Sequence, residues 1–207
     1  LRNYADCVKP ILQIIGADKG SLASGLNIVL WKERMMFFTD TTVNINPTAE
    51  ELSKIAYYAA RVARYFKQDP RIAMVSFSNF TGNQENPKKM KEAAQIFKKH
   101  HPDAIVDGEM QADTAVNPQI VQRLFPFCNI RDGANILVFP TLDAGNASYK
   151  LVQQLGGGEV LGPFLMGLQK PANVLQRTGT VEDVINTIVM TALECQAFKE
   201  PLPDWNK

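Results

Sequence analysis

A repeated alternation of apolar runs and helical patterns between residues 135 and 186 constrains the fold of this chain most strongly. The apolar run from Asn135 to Phe139 predicts a buried strand, and the polar residues 143–146 predict a turn after it. A helical pattern then begins at Tyr149 and stops at the glycines 156–158. This half of the segment is therefore predicted as strand, turn and helix.

The second half of the segment repeats that order. An apolar run over residues 160–168 is interrupted by Gly162 and Pro163, polar residues occupy 173–179, and a long apolar-faced helix starts at Thr180. Polar turns that follow the strands of an α/β sheet collect at one edge, where proteins of this class bind ligands. We therefore expect the binding site among these turns.

Strands and helices also alternate through the first two thirds of the chain. Thr48 and Glu51 have the spacing of a capping box after Pro47, which predicts a helix start there. The other elements predicted before residue 135 are a helix over 5–15, a hairpin or tight strand pair at 26–31 and 35–39, strands at 71–77 and 104–106, and helices at 88–100 and 118–125. The pattern predicts the α/β class, with a mainly parallel sheet and helices on both faces.

The composition is that of an ordinary globular protein and gives no positive sign of a nucleic-acid or membrane partner. The 207 residues are 45% hydrophobic and 21% charged, with a net charge of +1. No apolar span reaches the roughly 20 residues of a membrane helix, and no signal peptide is visible. The widely spaced Cys7, Cys128 and Cys195 predict reduced, packed thiols and a cytoplasmic protein.

The sequence also lacks the signatures of common metal and nucleotide sites. Glycines 156–158 and Gly162 do not have the spacing of a dinucleotide-binding loop, and a helix stop followed by a turn explains them better. His100 and His101 are adjacent, and neighbouring helix positions do not face each other, so a two-histidine site is not expected. We therefore predict no metal and no resident cofactor in this chain.

Several long motifs resemble the phosphate acetyl- and butyryltransferases. They are DTTVNINPTAEEL (40–52), RIAMVSFSNFTG (71–82), IVDGEMQADTAV (105–116), LDAGNASYK (142–150), LGPFLMGLQKP (161–171) and LQRTGTVEDVIN (175–186). The segments SFSNF, VDGEMQADTA and VLQR are similar to one branch, the C-terminal transacetylase-like domain of large bacterial NADP-dependent malic enzymes. The resemblance covers almost the whole chain.

The resemblance implies two lobes, related to those of isocitrate and isopropylmalate dehydrogenases, with the second α/β lobe inserted into the first. Residues 1–24 would end the first lobe, residues 25–164 would form the second, and residues 165–207 would return to the first with the C-terminal helix. The first lobe is then incomplete. Because the chain begins at Leu1 without Met, we expect it to be a fragment of a longer protein.

Arg177 is the most informative charge, because it lies just before a predicted helix start. A cation there is unfavourable unless an anion is nearby, and a helix N-terminus with an arginine forms an anion site. A salt bridge to Glu182 or Asp183 would explain Arg177 equally well. The resemblance implies that Arg177 contacts phosphate and substrate.

Asp183 also has two explanations. Thr180 and Asp183 match a capping box, and the helix dipole favours an acidic residue in the first turn. The resemblance implies instead that Asp183 is the base that deprotonates the thiol of CoA, whose thiolate is the nucleophile.

The remaining site residues come from the resemblance. Gln176 stands where the family has a catalytic serine, and Gln154 and Lys9 each stand where it has an arginine. Three residues match the family and are expected on the same face of the site: Asn146, Tyr149 and Lys150. Lys150 would hold a CoA phosphate, unless it is an ordinary exposed lysine. Guanidinium is the preferred partner of a phosphate, so the changes favour acyl-CoA binding over catalysis.

We therefore predict a phosphate acetyltransferase-like domain of an NADP-dependent malic enzyme, which binds acetyl-CoA and regulates the decarboxylation of malate. The alternative is an active phosphate acetyl- or butyryltransferase; a dehydrogenase would need a nucleotide fingerprint or paired metal carboxylates, which are lacking. NADP and a divalent metal are expected only in the malic enzyme domain. The apolar face of the last helix, with the resemblance, predicts a homodimer or higher homo-oligomer.

Overall fold

Short apolar runs separated by helices form one sheet, in the computed structural model that describes residues 4–18, 20–175 and 179–197. The elements in chain order are α1 (Tyr4–Ile14), β1 (Ser24–Trp31), β2 (Arg34–Thr39), α2 (Ala49–Tyr65), β3 (Arg71–Val75), α3 (Glu85–His100), β4 (Ile105–Met110), α4 (Ala112–Val116), α5 (Pro118–Leu124), β5 (Ile136–Val138), α6 (Leu142–Leu155), β6 (Glu159–Met166) and α7 (Val181–Ala197). The strands lie in the spatial order β4-β3-β5-β2-β1-β6.

The sheet is mainly parallel, as the sequence predicts. Strands β2, β5, β3 and β4 pair in parallel, whereas β1 is antiparallel to both of its neighbours, β2 and β6. Only Lys32 and Glu33 separate β1 from β2, which confirms the predicted hairpin. Parallel strands need crossover connections, and the helices between them supply these.

Helices cover both faces of the sheet, which is why its strands are apolar on both sides. Phe37 of β2 is buried against the face that α2 and α3 cover. Its neighbour Phe38 is buried on the opposite face, in the cluster that includes Tyr149 of α6. Since successive strand residues point to opposite sides, the two phenylalanines belong to two separate cores. The predicted two-sided α/β fold is confirmed.

Helix α2 begins where its sequence predicts. The backbone N–H of Glu51 donates to Thr48 Oγ1 at 3.2 Å, and the N–H of Thr48 donates to Glu51 Oε2 at 2.8 Å. These reciprocal bonds form a capping box and satisfy two backbone donors that a helix start leaves open.

Helix α6 begins earlier than the sequence pattern indicates. Residues 143–146 are the first turns of this helix, so the prediction of a separate turn there is wrong. The N–H of Ala144 donates to Thr141 Oγ1 at 3.4 Å, and Thr141 is the N-cap. The short polar residues that resemble a loop are here a capped helix start, which favours the same residue types.

Three other local features also differ from the prediction. Helix α3 starts at Glu85, three residues before the predicted start at residue 88. Pro87 lies in its first turn, where a missing N–H is tolerated. Strand β4 continues through Asp107 and Gly108 to Met110 instead of ending there. The sequence pattern does not indicate α4, whose five residues are too few for a helical period to show.

Strand β6 is continuous, although Gly162 and Pro163 interrupt its apolar run. The pairing between β6 and β1 shifts here, so that these two residues together oppose Asn27. Pro163 has no N–H to donate, and Gly162 has a φ of 113°, which residues with a side chain rarely adopt. The result is a β-bulge, a feature that often lies next to functional sites.

A small third cluster joins α1 to the segment after β6. Its buried members are Val8, Ala23, Leu165 and Leu168. The N–H of Asp18 also donates to the carbonyl oxygen of Gly167 at 2.9 Å. Residues before 25 are therefore associated with residues after 164, while the lobe boundaries themselves remain a prediction.

The cysteines are only partly as predicted. All three are free; Cys128 is buried and Cys7 half-buried, but Cys195 is exposed, so the prediction of a packed thiol is wrong there. Among the helices that the structure describes, none is both long enough and apolar enough to cross a membrane.

Candidate functional site

A cleft of about 370 Å³ lies between α6 and the start of α7, next to the β-bulge of β6. Its polar lining comes from three elements and includes Asn27, Lys150, Gln153, Gln154, Asp183 and Thr187. Small-molecule sites usually measure roughly 300–1000 Å³, so a ligand of moderate size fits here. Of the two polar segments predicted to converge, the one after β6 contributes Val174, Leu175 and Gly179 to the lining, whereas residues 143–146 after β5 do not line the cleft.

Helix α6 supplies one wall of the cleft. Tyr149 is buried against the sheet, and Nζ of the exposed Lys150 lies 5.4 Å from the centroid of its ring. Gln154 is also exposed, one turn after Lys150, and residues four apart share a helix face. Lys150 and Gln154 therefore form one rim of the cleft, and the binding roles expected for Tyr149, Lys150 and Gln154 remain predictions.

The approach of α6 to the sheet depends on Gly145. A Cβ at this position would overlap with the backbone carbonyl of Asp40. Next to it, Asn146 Nδ2 donates to the carbonyl oxygen of Thr41 at 3.1 Å. Asn146 is not part of the cleft lining, so the structure gives it a contact that positions α6 and does not place it at the predicted site.

The start of α7 supplies the opposite wall. The N–H of Asp183 donates to Thr180 Oγ1 at 3.2 Å, while the N–H and the hydroxyl of Thr180 donate to Asp183 Oδ2 at 2.7 and 3.0 Å. The predicted capping box is therefore present. Both bonds to the carboxylate use Oδ2, so Oδ1 of this half-buried group has no hydrogen-bond partner among the described residues and can accept a proton from a ligand.

The turn after β2 is held by Asp40, which the sequence analysis missed. Its buried carboxylate accepts backbone N–H bonds from Gly25, Thr42, Val43 and Asn44. Burial raises the pKa of Asp40, although these bonds act in the opposite direction. An Asp followed by Thr-Thr-x-Asn is the available signal, because Asp side chains hydrogen-bond to nearby backbone in turns.

Three cleft residues were also absent from the sequence analysis: Asn27, Gln153 and Thr187. Gln153 and Thr187 follow from helical spacing, since they lie three and four residues from Lys150 and Asp183. Asn27 has a different signal, because it is a polar residue inside the apolar run of β1.

Other predicted site residues lie elsewhere. Gln176 and Arg177 fall outside the described residues. Lys9 is exposed on α1 and is not among the residues that line the cleft.

Within 4–18, 20–175 and 179–197, no three His, Cys, Asp or Glu side chains approach closely enough to hold a metal ion. His101 stacks on Tyr57 with ring centroids 5.2 Å apart.

The sequence and the fold both match one protein family. The family model described as phosphate acetyl/butaryl transferase matches residues 1–192. This chain belongs to that family. The resemblance seen in the six sequence motifs is therefore confirmed at the level of the family.

Individual relatives agree with this assignment. The phosphate acetyltransferase of Bacillus subtilis is 39% identical over 192 residues, which are 92% of this chain and 59% of the relative. The phosphate acetyltransferase of Nitratidesulfovibrio vulgaris is 38% identical over 201 residues, which are 96% of this chain and 29% of the relative. The chain thus spans less than two thirds of the length of these relatives. Neither is named as a malic enzyme, so the narrower branch has no support from them.

The fold is also that of solved phosphotransacetylases. The crystal structure of a phosphotransacetylase from Streptococcus pyogenes superimposes with a TM-score of 0.89 and 38% identity, covering 97% of this chain and 61% of that one. EutD phosphotransacetylase from Staphylococcus aureus gives a TM-score of 0.84 with 35% identity, covering 92% and 59%.

Proposed function

We propose that this chain contributes to the transfer of an acetyl or related acyl group between CoA and phosphate, and that the α6–α7 cleft belongs to the active site. The observation that carries the proposal is the Asp183 carboxylate, which Thr180 orients on the cleft wall while Oδ1 stays available. Membership of the family makes CoA, acyl-CoA and acyl phosphate the ligands that the cleft would receive.

The chemistry needs a base, because a thiolate and not a thiol is the nucleophile. In the proposed step Asp183 accepts the thiol proton of CoA as the sulfur attacks the acyl carbonyl carbon of an acyl phosphate. A C–S bond forms, the C–O bond to phosphate breaks, and phosphate leaves. The bonds from Thr180 fix the carboxylate in one orientation, which is the positioning that such proton transfer requires.

Charges at the rim would select anionic ligands. Lys150 is exposed beside the cleft, and an ammonium group suits a CoA phosphate. The resemblance assigns the substrate phosphate to Arg177. Gln154 and Gln176 replace an arginine and a serine of the family, so phosphate binding and turnover are expected to be weaker than in proteins that keep those residues.

A second candidate is a domain that binds acetyl-CoA without turnover and regulates an attached NADP-dependent malic enzyme. Gln154 favours it, because this neutral amide stands on the cleft rim where the resemblance leads us to expect a guanidinium. A ligand that prefers one arrangement of the molecule would shift the population of the attached enzyme. NADP and a divalent metal would belong to that other domain, and the protein would act in the cytoplasm.

Acetyl-CoA formation from acetyl phosphate and CoA, measured in the complete natural polypeptide, tests the two candidates. We expect wild-type turnover of ~1 to 1000 per second and a fall in kcat of about 100- to 10,000-fold in Asp183→Asn. The exposed neighbour Glu182, changed to Gln, serves as the matched control and should leave kcat unchanged. Calorimetric binding of acetyl-CoA without any turnover in the wild type would contradict acyl transfer and favour the regulatory domain.

A further inference from the structure

One buried amide lies beneath the cleft. Asn27 is in the middle of β1 and is 1% exposed. Leu26 and Ile28 pack in the core on the α2 and α3 side, whereas Val29 packs on the α6 side. Because strand side chains alternate, the side chain of Asn27 lies on the α6 side, and Asn27 is part of the cleft lining.

This amide is held at one end and unpaired at the other. Asn27 Oδ1 accepts the hydroxyl of Thr41 at 2.7 Å. The backbone carbonyl of Thr41 in turn accepts from Asn146 of α6, which ties the pair to the cleft wall. Asn27 Nδ2 has no hydrogen-bond partner among the described residues. Buried donors are nearly always paired, so an unpaired one beside a cleft indicates a partner that arrives from the cleft.

The backbone pairing of the sheet is also interrupted at Asn27. The β-bulge interrupts the ladder between β1 and β6 opposite Asn27, where the two facing residues are Gly162 and Pro163. Gly162 also lines the cleft. Because Pro163 cannot donate a backbone N–H, the floor beside Asn27 offers a ligand few other donors.

The floor of the cleft, formed by the strand residues Asn27, Val160 and Gly162, suits an uncharged hydrogen-bond acceptor. The charged members of the lining, Lys150 and Asp183, come from the helices, whereas the strand residues Asn27, Val160 and Gly162 are uncharged. A phosphate needs cationic partners, but a neutral N–H suits a carbonyl oxygen and suits it better as negative charge develops there. A cleft of about 370 Å³ admits the narrow acyl end of acyl-CoA more readily than its nucleotide.

We propose that Asn27 Nδ2 donates a hydrogen bond to the carbonyl oxygen of the acyl group, so that Asn27 distinguishes acyl-CoA from free CoA. The inference rests on the proposed function, since it requires that the cleft receives CoA ligands. Thr41 is the positioning residue, because its hydroxyl occupies Oδ1 and leaves the NH₂ end for the ligand.

Titration calorimetry with two ligands that differ by the acyl group tests this contact. Asn27→Leu keeps the branching and the number of heavy atoms of the side chain and removes the donor. In the complete natural polypeptide we expect the Kd of acetyl-CoA to rise about 3- to 10-fold, the effect of one neutral hydrogen bond, and the Kd of CoA to change less than about 2-fold. A purely structural role would shift both constants together.

Ser53→Ala is the matched control. Its buried hydroxyl also lacks a partner among the described residues, but it lies on α2, on the far side of the sheet, so both constants should stay unchanged. If Asn27→Leu does not fold, Asn27→Ala, which also removes the donor, carries the same expectation. Equal changes for both ligands, or no change, would overturn the contact; a wild type that binds neither ligand would overturn the proposed function and this inference with it.

Discussion

Among single residues, Glu194 on α7 has an environment that couples its charge to stability. Glu194 is 9% exposed, and its carboxyl group accepts a hydrogen bond from Asn173 Nδ2 at 3.1 Å. Asn173 Oδ1 accepts the N–H of Leu165 at 2.7 Å, so the pair connects α7 to the end of β6. Burial raises the pKa of Glu194 to about 8, and the bond from Asn173 lowers it by a smaller amount.

This shift predicts a pH dependence of stability. The folded state holds the Glu194 proton more tightly than the unfolded chain, so its contribution is fully present below about pH 4.5 and is lost as the pH rises through 8. At 1.36 kcal/mol for each pKa unit, the loss between pH 5.5 and 8.5 is on the order of 3 kcal/mol. Urea unfolding at pH 5.5 and 8.5 should show this loss in the wild type and a much smaller one in Glu194→Gln.

Glu182→Gln is the control for that experiment, because this exposed acid lies on the same helix. It should keep the wild-type slope of stability against pH. Among the described residues, Tyr58, Arg61 and Tyr65 line a small cavity that Glu194 also lines, so these polar groups face it together with Asn173. Identical slopes for wild type and Glu194→Gln would show that Glu194 is ionised throughout.

How much of the site the sequence could predict depends on how far apart along the chain the contacting residues lie. The Thr180–Asp183 cap joins residues three apart, and a local pattern reveals it. The Asn27–Thr41 bond joins residues 14 apart, and the Asn146–Thr41 bond joins residues 105 apart. A sequence pattern identifies the polar residue in such a pair but not its partner. This is why Asn27 was missed. Asn146 was expected at the site from the family resemblance, which does not show its contact with Thr41.

At the scale of elements, the spacing of apolar residues and the capping patterns predicted the strands and most helices, because both signals are local. The start of α6 and the path of β6 were not predictable in this way. Residues 143–146 have the small or polar side chains of a loop, and the apolar run of β6 contains Gly162 and Pro163. In both places a tertiary contact decides: Gly145 packs on Asp40, and β1 holds both halves of β6.

The close approach of α6 predicts an unusual response to Gly145→Ala. In an unconstrained helix this change would stabilise by about 1 kcal/mol. Here the added Cβ would overlap with the Asp40 carbonyl, a backbone atom that moves only with the turn after β2. We expect a net destabilisation of roughly 1–3 kcal/mol in urea unfolding. As the control, Ala147→Gly at an exposed position of α6 measures the effect of helix propensity alone. A Gly145→Ala protein more stable than the wild type would show that the close approach is not required.

At the scale of the whole molecule, the described residues leave an apolar face of α7 uncovered. Val181, Ile185, Ile188 and Val189 of α7 are 78%, 54%, 63% and 52% exposed. Their spacing places them on one face of the helix, opposite the buried Met190 and Glu194. The sequence pattern could show that this face is apolar. It could not show which part of the face the sheet covers, because that depends on how α7 lies against β6.

An apolar stripe of this kind predicts self-association. We expect the complete natural polypeptide to form a homodimer or larger homo-oligomer through this face of α7, because exposed contiguous apolar surface marks interaction sites. Ile188→Lys places a charge in the stripe and should shift the mass from light scattering at micromolar concentration towards the monomer. Leu124→Lys makes the same change at an exposed position of α5 and should leave the mass unchanged. A monomeric wild type would mean that another part of the polypeptide covers the stripe.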